Sequence, residues 1–323
     1  MSVKGSQVTE TGSSHTKRHI LLDYNIQSNP KPFNIEVKYL PLMARFFSPI
    51  VMNSLINDGR SLYFNDVLQG CGIMEELDLS MKLSQFFEHL YNLIAKLYRN
   101  EYVYKNAIVN KILLGKYSLN TSSILTEFRI GERKADVVIL NGTSMAYEIK
   151  TEYDTLDRLQ DQIDAYVCTF DMTNVITSSS QISSLEKILS DEIGLLELTS
   201  NYTIRTVREA KSLKSSVRPE FIFNSLRKPE YLSIIESVYG LIPNVPNTHI
   251  YKVCFDLFSK LSSEVAHDEM VRVLYQRGNK EVLKELVLNI PSSLRAYASS
   301  GNLSFEQSKK FVDLLNSQLG TIL

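Results

Sequence analysis

Apolar positions fall into helical spacing from Met81 onward: Leu83, Phe86, Phe87, Leu90, Ile94 and Leu97 line one face. The helical pattern continues, with a bend, through "NEYVYKNAIVNKILLG", where Gly115 is expected to cap the helix end. The period then shortens to two. "TEFRI", "KADVVIL" and "SMAYEIK" read as β-strands parted by "GER" and "NGT". Helical spacing returns in "LDRLQDQIDAYVCTF", with Leu156, Leu159, Ile163, Tyr166 and Val167 on one face. "TNVITSS", "QISSLEKIL" and "GLLELT" follow as strand, helix and strand. Helix, three strands, helix, strand, helix, strand predicts an α/β (α+β) fold with a mixed central sheet flanked by helices. The step from "YEIK" to "NVIT" should be a right-handed crossover if those strands are parallel.

The flanks are less patterned. Residues 1–19 read as a disordered tail, and 20–80 as a mostly helical N-terminal extension containing the apolar "LPLMARFFSPIVMNSLI" after the breaker "NPKP". The central unit spans 81–215. Residues 216–323 read as a helical C-terminal region, broken at "IPNVPN" and carrying a capping box at Ser304 and Gln307. No period of ~20–50 residues recurs, which argues against a repeat architecture.

Composition narrows the class without naming the chemistry. The net charge of −1 over 323 residues means that any nucleic acid must be met by a local basic surface. Three widely spaced cysteines, Cys71, Cys168 and Cys254, argue against a disulfide framework or a zinc site and fit a reducing cytoplasm. The polar N-terminus lacks a signal-peptide core, and no stretch approaches the ~20 apolar residues of a membrane span. His15 and His19 have helical ligand spacing but lie in a Ser/Thr/Lys-rich terminus without a third ligand.

Chemistry concentrates in one hairpin, "KADVVILNGTSMAYEIKTE", where Asn141-Gly142 joins two apolar runs that carry Asp136, Glu148 and Lys150. A two-residue loop would pair Asp136 with Tyr147 and set it on the face opposite Glu148 and Lys150. A three-residue loop, Leu140-Asn141-Gly142, pairs Asp136 with Ala146 and gathers the three charges on one face, with Gly142 left-handed. We adopt the second register. Val137, Ile139, Met145, Tyr147 and Ile149 then form an apolar face for a helix. Two carboxylates on neighbouring strands repel, which raises a pKa or invites a cation. An all-oxygen site suits Mg²⁺, which can polarise a phosphoryl oxygen and acidify a bound water; Lys150 can orient that water. Two solvated residues on an edge strand would show the same Glu-x-Lys pattern.

The element order, Asp136 and Glu148-Ile149-Lys150 resemble the PD-(D/E)XK nuclease superfamily over residues 81–210. Gln162-Ile163-Asp164-Ala165-Tyr166 resembles the Gln-x-x-x-Tyr helix motif of its RecB-type members, and the wider text resembles an uncharacterised bacterial family within it. The resemblance implies a restriction-endonuclease-like core, with Asp136 and Glu148 on a Mg²⁺ (Mn²⁺ substituting) and Lys150 assisting the attacking water. Gln162 and Tyr166 would support the site or contact DNA; without that role they are an exposed amide beside a core tyrosine. Ala135 stands where the superfamily often has proline. Glu127 on the preceding strand is implied as an accessory catalytic and metal-binding acid. Glu101 is a weaker helical candidate, with Lys105 one turn on as an ordinary ion pair.

Between Lys96 and Lys134 eight Lys/Arg face three Glu, and "TIRTVREAKSLKSSVR" adds five against one. Such a basic surplus can track a phosphate backbone, with Lys105, Arg129, Arg133 and Lys134 closest to the acids. The expected activity is Mg²⁺-dependent hydrolysis of DNA. The alternative is a non-catalytic nucleic-acid-binding or assembly module that keeps the fold. A homodimer or partner protein would dock through the C-terminal helices. No glycine-rich phosphate loop or Ser/His/Asp set supports a small-molecule enzyme.

Overall fold

The computed structural model describes residues 33–278, 281–300 and 303–323. The tail at 1–19, His15 and His19 among it, and the start of the 20–80 extension lie outside the described residues. Helices α1 (Leu40–Ala44), α2 (Pro49–Asp58) and α3 (Leu62–Gly70) lead into α4 (Leu83–Leu97), the amphipathic helix expected from the sequence. The predicted bend is a full break at Tyr98–Asn100. There the Asn100 side chain accepts from the Val103 amide and starts α5 (Glu101–Ala107), which passes into a π-helical stretch, Ile108–Leu113. Gly115 is not among the left-handed residues, so the expected glycine cap does not form.

The three strands are β1 (Ser123–Ile130), β2 (Arg133–Leu140) and β3 (Ser144–Lys150), followed by α6 (Leu159–Val167), β4 (Met172–Thr177), α7 (Ile182–Ile188), β5 (Gly194–Leu198) and β6 (Ile204–Arg208). They form one mixed sheet in sequential order, parallel at β3–β4 and β4–β5 and antiparallel elsewhere. The strand β6 was not expected. Its text, "IRTVR", shows no period-two pattern, none of its residues is fully buried, and its pairing with β5 slips once.

Helices cover both faces. One core joins Val137, Ile139, Tyr147 and Ile149 to α1–α5 and to the end of the chain. On the opposite face Val138, Leu140 and Ala146 pack with Tyr166, Phe170 and the helices α8 (Pro219–Ser225), α9 (Lys228–Tyr239), α10 (Asn247–Phe258) and α11 (Ser263–Gly278). Beside them α6 and α7 cover Val175 and Leu195. The last helices, α12 (Glu281–Asn289), α13 (Arg295–Ser299) and α14 (Phe305–Asn316), return to the first face. The 216–323 region is therefore split between the two faces. The capping box at Ser304 and Gln307 forms, with both hydrogen bonds at 3.1 Å. Among the described residues, no single helix is long and apolar enough to cross a membrane.

Candidate functional site

The hairpin register differs from both sequence alternatives. Leu140 pairs with Ser144 and Val137 with Tyr147, so the loop is Asn141-Gly142-Thr143, closed by the Asn141 amide donating to the Thr143 carbonyl. Gly142 takes the left-handed conformation (φ 70°). Asp136 does not pair with Ala146. Continuing the ladder one step past Val137 sets it opposite Glu148, and on its other side it falls opposite Glu127, between Thr126↔Val137 and Phe128↔Ala135. Three acids thus lie in a row across β1, β2 and β3.

The row coincides with a defect in the sheet. Glu127 has φ 52°, a left-handed conformation that costs a residue with a Cβ ~1–2 kcal/mol. Leu125 and Phe128 both face the second core although three apart, as do Ala135 and Val138, so the alternation slips once on each strand at the acids. The Asp136 carboxylate takes over a ladder position, accepting from the Ile149 amide at 2.8 Å. The carboxylates of Asp136, Glu127 and, from the first turn of α5, Glu101 bring one oxygen each within 4.8 Å of one another. Sequence reasoning placed Glu101 last among the acids; the break at Tyr98–Asn100 is what turns it toward the sheet. Burial, then Glu148 and Glu101, hold the Asp136 carboxyl well above the usual carboxylate range. Lys105 binds both Glu101 and Glu127. Burial opposes its charge, but the two carboxylates outweigh that and raise its pKa.

Glu148 is held apart from this trio. It is 2% exposed; its Oε1 lies 3.0 Å from the Lys150 ammonium and its Oε2 2.6 Å from the Tyr166 hydroxyl. Lys150 also donates to Gln162 Oε1 at 2.9 Å. Glu148, Lys150, Gln162 and Tyr166 therefore form one connected network, with α6 supplying the last two from successive turns. The Tyr166 hydroxyl also lies 2.5 Å from the Lys134 carbonyl, so its proton is shared between that oxygen and Glu148. Burial pushes the Glu148 carboxyl up, against the pull of Lys150 and the Tyr166 hydroxyl.

Two of the trio, Glu101 and Glu127, line a cleft of about 1540 Å³ that runs along β1, whereas Asp136, Glu148 and Lys150 lie behind its lining. Glu101, Lys105, Glu127 and Arg129 lie on its β1 and α5 side; Arg45 enters from before α2, and Arg227 and Arg277 from the C-terminal helices. Arg277 is bound to Glu230. Arg45, Arg129 and Arg227 are exposed and form no ion pair among the described residues. Of the four basic residues expected at the site, Lys105 and Arg129 line the cleft. Arg133 instead pairs with Asp161 at 2.8 Å, and Lys134 lies 3.6 Å from Glu127. Arg45 and Arg227 had no sequence signal, since nothing local announces that segments ~180 residues apart converge.

A sequence model of the bacteriophage P4 protein cII family matches residues 95–290, well over half of the chain. Protein cII of Enterobacteria phage P4 is 27% identical over 154 residues, which cover 46% of this chain and 57% of that protein. The chain thus matches little more than half the length of that curated relative. A solved structure of a protein of unknown function from Silicibacter pomeroyi aligns with 39% of this chain and 87% of its own, at 16% identity and a TM-score of 0.26.

Proposed function

The chain belongs to the bacteriophage P4 protein cII family, and for this member we propose a Mg²⁺-dependent nuclease that hydrolyses phosphodiester bonds of DNA. The observation that carries the reading is the convergence of Glu101, Glu127 and Asp136 beside the Glu148–Lys150 pair. An all-oxygen, acid-rich donor set of this compactness fits Mg²⁺, with Mn²⁺ able to substitute. Glu127 and Asp136 would hold the ion, with Glu101 completing the set and Glu148 next in line. When bound, such an ion polarises a phosphoryl oxygen and lowers the pKa of a coordinated water. Lys150, held by Glu148 and Gln162, would orient that water and offset developing charge. Tyr166 holds Glu148 in place. The element order and the Asp136, Glu148-Ile149-Lys150 and Gln162/Tyr166 sets, which resemble the PD-(D/E)XK superfamily, support the same reading.

The test is cleavage of DNA by purified protein in Mg²⁺ or Mn²⁺ against EDTA. Asp136→Ala and Lys150→Ala should each lower the rate at least about 100-fold. Wild-type protein that leaves every DNA substrate intact, or variants that cut unchanged, would overturn the proposal. One observation favours a second reading, a non-catalytic nucleic-acid-binding module: the Lys105 ammonium bridges Glu101 and Glu127 and offsets part of their charge. DNA binding that is indifferent to Mg²⁺ and unaltered in Glu148→Gln would select it. We place the protein in the cytoplasm, a reading supported by its free cysteines Cys71, Cys168 and Cys254. A homodimer or partner protein would meet the C-terminal helices where Leu241, Ile242 and Tyr251 are exposed.

A further inference from the structure

We infer that the cleft along β1 takes a single-stranded polynucleotide, threaded between the N-terminal and C-terminal helices, rather than a duplex. The inference rests on the nuclease reading only for what happens to the strand; that a strand binds there is argued from the cleft alone. At about 1540 Å³ the cleft exceeds the ~300–1,000 Å³ of a small-molecule site, so its natural occupant is a polymer segment. At a rise of ~3.4 Å, a duplex ~20 Å across fills on the order of 1,000 Å³ per base pair. The cleft therefore has room for fewer than two pairs. A single strand, at less than half that volume per nucleotide, would place about four nucleotides inside, at the low end of single-strand site sizes.

The walls agree with the volume. They come from three remote parts of the chain: residues 44–49, residues 224–233 with 276–278, and residues 296–300. Glu101 and Glu127 line the cleft with them, each about half exposed, so a strand following the cleft passes the acids. Charge is sorted in the same sense. Lys105 and Arg277 are committed to acids, which leaves Arg45 and Arg227 on two of these walls and Arg129 on β1 to meet phosphates. Spaced cations around an acid-lined strand of the sheet follow a flexible backbone, and they do so without reading bases.

Fluorescence anisotropy in EDTA tests this apart from cleavage. The probes are a labelled oligodeoxynucleotide free of secondary structure, its ribonucleotide counterpart and the same deoxynucleotide sequence as a blunt duplex. The single strands should bind at least 10-fold tighter than the duplex. Arg129→Glu with Arg227→Glu should cost at least 10-fold in single-strand affinity and flatten its salt dependence, while Lys309→Glu, outside the cleft, should change neither. Unchanged far-ultraviolet circular dichroism confirms that the double variant folds; if it does not, Arg129→Gln alone should still weaken single-strand binding several-fold. Equal affinity for duplex, or an unaltered variant, overturns the inference. The DNA and RNA arms show which sugar is preferred. Single-strand binding as expected with no cleavage in Mg²⁺ would sink the nuclease reading and leave this one standing; cleavage of closed circular duplex without single-strand preference would do the reverse.

Discussion

Asp136 is where the chain spends stability. Its carboxyl is raised by burial and by neighbouring acids, whereas in the unfolded chain it ionises near 3.8. The folded state therefore holds its proton to higher pH than the unfolded state. The stability this contributes is present below about 3.8 and is lost as pH rises through the folded value. Asp136→Asn keeps an acceptor for the Ile149 amide and removes the charge. Thermal denaturation in EDTA should show the variant gaining on wild type as pH increases, with the gap closing in acid. Mg²⁺ at neutral pH should raise the wild-type Tm and leave Asp136→Asn nearly unmoved; a gap independent of pH would refute the account. Tyr166 is the complementary case. Phenylalanine there leaves the Lys134 carbonyl and the buried Glu148 short of a partner, at about 1–3 kcal/mol. Urea unfolding should show that loss. The pH profile of cleavage should move as well, since Glu148 loses the hydroxyl that now faces it.

At the scale of elements, β1 is kinked at Glu127, and the kink can be separated from the carboxylate. Glu127→Gly and Glu127→Ala both remove the acid, but only glycine takes φ 52° without a Cβ penalty. Glycine should leave the protein about 1 kcal/mol more stable than alanine by chemical denaturation, with Mg²⁺ affinity by calorimetry weakened in both. Equal stabilities would mean that the strand relaxes when the acid goes. The elements around this kink show what a sequence displays. Period-two runs marked β1, β2 and β3, and a helical stripe marked α4 and α6, because each buries one regular face. The register of the hairpin was not legible. Asn141-Gly142 permits several closures, and the choice among them is made by Val138, Leu140 and Ala146 packing on the C-terminal helices, a non-local event. The three charges were legible as out of place in apolar strands. That Asp136 and Glu127 sit opposite one another at a slip in the alternation was not, because nothing in "TEFRI" marks a left-handed residue. Strand β6 escaped notice for a related reason: none of its five residues is fully buried and its pairing slips once, so no apolar alternation marks it.

Across the described residues, the N-terminal helices from Phe33 onward and the C-terminal segment are parts of one core. Lys82 and Gln318 form an antiparallel bridge, the Leu319 amide donates to the Met81 carbonyl at 2.8 Å, and the Gly320 amide to the Leu79 carbonyl at 2.9 Å. Leu319 and Ile322 are buried among the residues that also cover Val137 and Ile149. That face also carries Ala296 and Tyr297 of the cleft's wall, but Arg227 lies between α8 and α9, which pack on the opposite face, so loss of stability can be read beside binding. Deleting residues 318–323 exposes the site that both side chains fill and should cost about 3–6 kcal/mol, an upper range because the unfolded chain already buries some apolar surface. The chain has 17 tyrosines and no tryptophan, so tyrosine fluorescence reports on the aromatic core and circular dichroism on the helices. Because the terminal helices and the sheet share that core, both probes should move together to a lower urea midpoint in one transition. Single-strand binding by the protein that remains folded should be kept, since Arg45, Arg129 and Arg227 are untouched. An unshifted midpoint, or two transitions with the tyrosine signal lost first, would show the N- and C-terminal helices to be a separate unit resting on the sheet.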